Sequence, residues 1–157
     1  MTATTSFERR LGVSRVDVRP GYTQVHVLGL RNGLAELRLA ILKAVAAAGV
    51  SIDFLKLTHD GLSFLVVDHH AEAAREALVA AGKRVYIQGD RSIVLIHAVN
   101  MRDEEGLVAK IIQIAIETGA RIEHVSDMHN RALLVVATED APHVAAAIDA
   151  QLVVTGR

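Results

Sequence analysis

The chain has 157 residues, 51% hydrophobic, 22% charged and only 3% aromatic, with a formal net charge of −1 and no cysteine. The near-neutral charge leaves no electrostatic footprint for nucleic acid or an anionic membrane, and the missing cysteine excludes disulfides, thiolate nucleophiles and cysteine zinc sites. No apolar run approaches the roughly 18 residues of a bilayer span, and MTATTSFERR carries no signal-peptide core, so a cytoplasmic, soluble protein is expected.

In chain order, residues 1–12 are weakly patterned and expected to be flexible. Val13 to Arg19 alternates apolar and polar residues as a strand does, and Pro20-Gly21 reads as the turn that closes it. Tyr22 to Leu30 is a second strand, broken by Arg31-Asn32-Gly33. From Leu34 to Ala48 apolar residues recur with the helical period, and Gly49 stops the helix. Val50 to Thr58 and Leu62 to Asp68 are strands joined through His59-Asp60-Gly61, a hairpin signal. Residues 70–81 are helical, with Asp68-His69-His70 as their cap. Arg84 to Gln88 is a short strand, and Gly89-Asp90 reads as a turn. Then come a strand over Ile93 to Val99, a helix over about 105–118, strands near 121–127 and 131–138, and a helix from Ala141 to Asp149 with Pro142 in its first turn, where the missing N–H is harmless.

This order contains itself twice. A shift of 70 residues (119 − 49, for the glycines after the two long helices) lays Leu107 on Leu37, Ile111 on Ile41, Ile122 on Ile52, Glu123 on Asp53 and His129 on His59. Each copy reads strand, helix, strand, strand, helix, strand. The predicted class is α+β: two ferredoxin-like βαββαβ units packed side by side, each an antiparallel sheet with its helices on one face. The first unit spans 22–88, and the second joins 13–19 to 92–157. Val13 to Val18, Arg84 to Gln88 and Leu152 to Thr155 compete for two terminal strand places. The helix over 105–118 is apolar around most of its circumference, and Ile93 to Ile96 and Leu133 to Val136 are apolar on both faces. That surplus predicts a homodimer.

AAAGVSIDF at 46–54 and IETGARIEH at 116–124, each following a strand, a loop and a helix, resemble the ACT domain, a family of amino-acid-binding regulatory modules. The pattern is most similar to the regulatory half of aspartate kinase, which some members make as a separate subunit. Val27-Leu28-Gly29-Leu30, followed by the loop Arg31-Asn32-Gly33-Leu34-Ala35-Glu36, and Asn100-Met101-Arg102-Asp103-Glu104-Glu105-Gly106 stand where that family has the strand end and loop before each long helix. The first loop lacks the family's Asp and Pro-Gly, and the second has Glu105 where proline is usual. The resemblance covers about residues 13–150. It implies a small amino acid as effector, a kinase-like catalytic subunit as partner, and no cofactor.

An amino acid needs hydrogen-bond donors beside acceptors, and helix N-termini supply donors. The candidate ligand-binding residues are Arg31, Asn32, Gly33 and Glu36 in the first loop, Met101, Arg102 and Asp103 in the second, and Ser51, Ile52, Asp53, Arg121 and Ile122 after the two long helices. Arg31, Arg102 and Arg121 suit a carboxylate, and the acids at 103–105 suit an ammonium or a helix cap. The eight histidines suggest no metal site: His59 and His129 sit at hairpin tips, and Asp68-His69-His70 lacks the further ligands that two-metal hydrolysis needs. RNA binding needs aromatic stacking residues that the strands lack. No nucleophile, base and orienting group occur together, so the chain is expected not to be an enzyme. The alternative to an amino-acid sensor is a protein-interaction scaffold that kept the fold and lost the ligand.

Overall fold

The computed structural model describes residues 12–99 and 105–153. The expected flexible N-terminus lies outside these residues except for Gly12, as do the candidate residues Met101, Arg102 and Asp103. The described elements are β1 (Gly12–Leu28), α1 (Leu34–Ala47), β2 (Asp53–Thr58), β3 (Gly61–Val67), α2 (Ala71–Ala80), β4 (Arg84–Val99), α3 (Leu107–Glu117), β5 (His124–Met128), β6 (Arg131–Ala137) and α4 (Ala141–Leu152). The six strands form an antiparallel sheet in the hydrogen-bonding order β2-β3-β1-β4-β6-β5.

Two predicted turns are absent. The chain runs through Pro20-Gly21 inside β1 and through Gly89-Asp90 inside β4. Each strand carries a left-handed residue there, Gly21 (φ 90°) and Asp90 (φ 54°), and continues through it. These two places are also where the chain divides into compact units: Gly21–Arg91 is one, and the residues up to Pro20 with those from Ser92 onward are the other. We call them the first and second units.

The first unit packs Val25 and Val27 of β1, Leu62, Phe64 and Val66 of β3, Ile41 and Val45 of α1 and Ala74 and Leu78 of α2 into one cluster. The spacing of two on the strands and four on the helices is what places these residues on inner faces. In the second unit Val94, Ile96, Leu134 and Val136 meet Leu107, Ile111, Ile114, Val144 and Ile148, with Val13 among them. Val13 bridges Val153 in parallel, and Leu152 ends α4 instead of opening a strand. Ile93, Leu95, Leu133 and Val135 are also buried but belong to neither cluster, so the opposite face of these strands is covered too. Ile116 of α3 is not: it is 59% exposed.

The cap predicted for α2 is not made, and Asp103 and Glu104 of the cap predicted before α3 lie outside the described residues. Both long helices start at a left-handed glycine, Gly33 (φ 68°) and Gly106 (φ 77°), and neither has a side-chain cap among the described residues. A side chain in that conformation would cost about 1 kcal/mol or more. Asp68 to His70 form a 3₁₀ turn, and Asp68 accepts a hydrogen bond from Thr23 Oγ1 at 2.8 Å instead of capping α2. β2 starts at Asp53, later than the predicted Val50. Phe54 follows with φ 52° at a register shift between Asp53 and Lys56.

Candidate functional site

The site grows from the end of β1 in the first unit. After Leu28 the backbone turns through Gly29 (φ 72°) and Asn32 (φ 49°) before α1 begins. The β2–β3 hairpin tip is fastened to this turn. Leu30 N–H donates to the Asp60 carbonyl at 2.7 Å, and Gly29 N–H donates to Asp60 Oδ2 at 3.3 Å. From the helix side, Arg38 donates its Nε to the Gly61 carbonyl at 3.1 Å and a second guanidinium N–H to the Thr58 carbonyl. The two hydrogen bonds from one planar group fix the tip in orientation as well as position. Close approach completes the fastening, since a Cβ on Gly61 would lie 1.8 Å from the Val27 carbonyl oxygen.

Between these parts is an open hollow of about 510 Å³, lined by residues 28–32, Leu34, His59, Asp60 and Arg84. That is within the range of small-molecule pockets, roughly 300–1,000 Å³. Its walls are mixed: Leu28, Leu30 and Leu34 are apolar, Asp60 is an acceptor, and Arg31 and Arg84 are cations. The Arg84 stem lies across Gly29, its Cδ 3.7 Å from where a Cβ on that glycine would sit.

Of the predicted site residues, Arg31 and Asn32 line the hollow, and Gly33 adjoins it at the start of α1. Glu36 lies in the first turn of α1 with its Oε2 3.4 Å from the Cβ position of Gly33, so its carboxylate folds back over the helix start. Ser51, Ile52 and Asp53 are elsewhere. They follow the far end of α1, whose 14 residues separate the two ends by roughly 20 Å. Ile52 packs against the first unit's core, and Asp53 pairs with Leu65 across the β2–β3 ladder. In the second unit Arg121 forms an ion pair with Glu123 at 3.4 Å, and Ile122 packs against that unit's core. A smaller hollow of about 290 Å³ between α3 and α4, bordered by Lys110, Gln113, Ile114, Glu117, Gln151 and Leu152, contains none of the predicted residues.

Asp60 and Arg84 are lining residues that the sequence did not put forward for a site, and His59 is one it set aside as a hairpin tip. Among the described residues no three His, Asp or Glu side chains are placed to hold a metal ion. Nor is any described helix long and apolar enough to cross a membrane.

No protein-family model matches the sequence, and no curated protein does so by sequence. Solved structures are similar. The regulatory subunit of aspartate kinase from Thermus thermophilus, in a ligand-free form, superposes with a TM-score of 0.79 at 25% identity, covering 88% of this chain and 97% of that one. The corresponding subunit from Thermus flavus gives 0.77 at 24% identity over 88% of this chain and 97% of that one. Clostridium acetobutylicum aspartate kinase gives 0.78 at 16% identity over 87% of this chain but 34% of that one, a likeness of fold to about a third of the enzyme. Over most of its length, then, this chain resembles the regulatory subunit of aspartate kinase.

Proposed function

We propose that the chain is an amino-acid-sensing regulatory subunit, built from two ferredoxin-like βαββαβ units of the ACT type. A small amino acid binds at the strand-to-helix loops and shifts the balance between two arrangements of the protein. A kinase-like catalytic subunit reads that shift, and catalysis belongs to the partner. The observation that carries this reading is the near end-to-end likeness to regulatory subunits of aspartate kinase, over 97% of their length. It is supported by a hollow at a helix entrance that offers cations and an acceptor together.

In the first unit Arg31 and Asn32 form the loop of this site, with Gly33 and Glu36 beside it at the start of α1, joined by Asp60 and Arg84. Met101, Arg102 and Asp103 are assigned the same role before α3. Ser51, Ile52 and Asp53 reach a bound ligand from another copy of the chain, because the far end of α1 is too distant from the hollow in its own unit, and Arg121 and Ile122 are assigned the matching role after α3. A homodimer follows from this assignment. It is supported by exposed apolar residues on the two outermost strands, Leu55 and Leu57 on β2 and Met128 on β5. Isothermal titration of the chain against the twenty amino acids tests the sensor, with binding of at least one at millimolar or lower concentration expected. Silence toward all of them removes it.

A further inference from the structure

Among the described residues neither the Arg31 nor the Arg84 side chain forms an ion pair or a hydrogen bond, yet both line one hollow with a single acid, Asp60. One Asp60 oxygen takes the Gly29 N–H, and its other oxygen is left to accept an ammonium. Glu36 does not line the hollow and already compensates the start of α1. What the hollow lacks is counter-charge for two guanidinium groups. Its lining carries two guanidinium groups and one carboxylate. A neutral amino acid leaves one guanidinium unmatched, and a basic one adds a third cation to the same space, which opposes binding.

Resting on the reading that the chain binds an amino acid, we propose that this hollow selects an α-amino dicarboxylate. The two carboxylates pair with Arg31 and Arg84, and the ammonium pairs with Asp60. Guanidinium groups suit this task because each presents a planar fork of donors to a carboxylate.

The test is isothermal titration of the full chain with L-glutamate, L-aspartate, L-threonine, L-lysine and glutarate, a dicarboxylate with no ammonium. The acidic amino acids are expected to bind and lysine is not. Arg84→Met keeps the apolar stem across Gly29 and removes the charge. With Arg31→Gln, it is expected to weaken binding about tenfold or more at an unchanged melting temperature. Asp60→Asn keeps an acceptor for the Gly29 N–H, and the second hairpin already carries Asn130 at this place. It is expected to weaken glutamate and spare glutarate. A preference for threonine or lysine overturns the dicarboxylate class while the amino-acid reading stands. Silence toward every amino acid overturns both, and glutamate affinity untouched by Arg84→Met overturns this hollow as the site.

Discussion

Arg38 shows how one side chain sets the geometry of the first unit's loops. Its two hydrogen bonds end on carbonyls that flank His59 and Asp60, so removing it frees the hairpin tip from the helix side. Arg38→Met is expected to cost about 1.5–3 kcal/mol, the range for hydrogen bonds to a charged group. Hydrogen exchange at residues 59–61 should quicken more than in the core of β3. Arg38→Lys should not restore the tip, because a point charge cannot serve two carbonyls in fixed directions; full restoration of protection would refute this role. The sequence offered no hint of it, since a half-buried arginine on an amphipathic helix looks like any solvated one. The same holds for Asp60, whose Asp-Gly pairing announces a turn but not its hold on Gly29. A contrasting residue is Glu72, which accepts a hydrogen bond from Arg75 Nε at 3.1 Å on the exposed face of α2. That hydrogen bond, with Coulomb attraction from the same guanidinium, holds the carboxyl below its ordinary value of 4.5. A lowered folded-state value means the stabilisation is present above about pH 4.5 and disappears as the pH falls through the lowered value. Melting of Glu72→Gln should therefore fall slightly short of wild type at pH 7, with the two converging as the pH falls below the lowered value; the pair is too exposed for a larger effect.

At the scale of elements, periodicity and punctuation had unequal value. Ile41 with Val45, and Ile111 with Ala115, recur at the spacing of one helix face, and both pairs are buried as the pattern requires. Gly49 and Gly119 stop their helices in left-handed conformations where the sequence placed the stops. The failures were at Pro20-Gly21 and Gly89-Asp90. Turn chemistry describes which backbone bends are cheap, whereas strand continuity depends on neighbours supplied from far along the chain. The 70-residue repeat hid another difference. It lays Gly106 on Glu36 (106 − 70), yet the helix-starting glycine of the first unit is Gly33, so α3 begins one turn later and has 11 residues to the 14 of α1. An ungapped alignment cannot reveal a turn moved from helix to loop. Gly61 belongs to this scale because it lets the β2–β3 hairpin close against β1. Gly61→Ala would drive a Cβ into the Val27 carbonyl and is expected to cost at least about 3 kcal/mol. Gly49→Ala, left-handed but with no atom within 4 Å, is expected to cost about 1–2 kcal/mol. Chemical denaturation of both variants decides it, and equal losses would mean that the close approach at Gly61 is relieved by backbone movement.

For the whole molecule, the decisive feature is that one unit is continuous in sequence and the other is not. Gly21–Arg91 carries its own strands, helices and core, but the second unit draws its N-terminal strand from residues before Pro20 and everything else from Ser92 onward. That strand is integral to it. Val13 is 1% exposed in its core, Ser14 Oγ donates to the His97 carbonyl at 3.2 Å, and Asp17 Oδ2 lies 3.0 Å from His97 Nε2. Removing it strips one side of β4 and uncovers Val94 and Ile96, whose burial is worth roughly 1.5–3 kcal/mol each. A small unit of marginal stability cannot absorb such a loss. A chain beginning at Gly21 is therefore expected to lose hydrogen-exchange protection throughout α3, β6 and α4 while β3 and α1 keep theirs. If α3 and β6 stay protected in that chain, the N-terminal strand is an ornament on the second unit and not part of its frame; if β3 loses protection as well, the two units fold only as one. The expected outcome makes the first unit the autonomous part, and its hollow should keep whatever affinity does not depend on a second copy. Repeating the glutamate titration on the truncated chain separates the ligand's contacts within the first unit from those contributed by other residues.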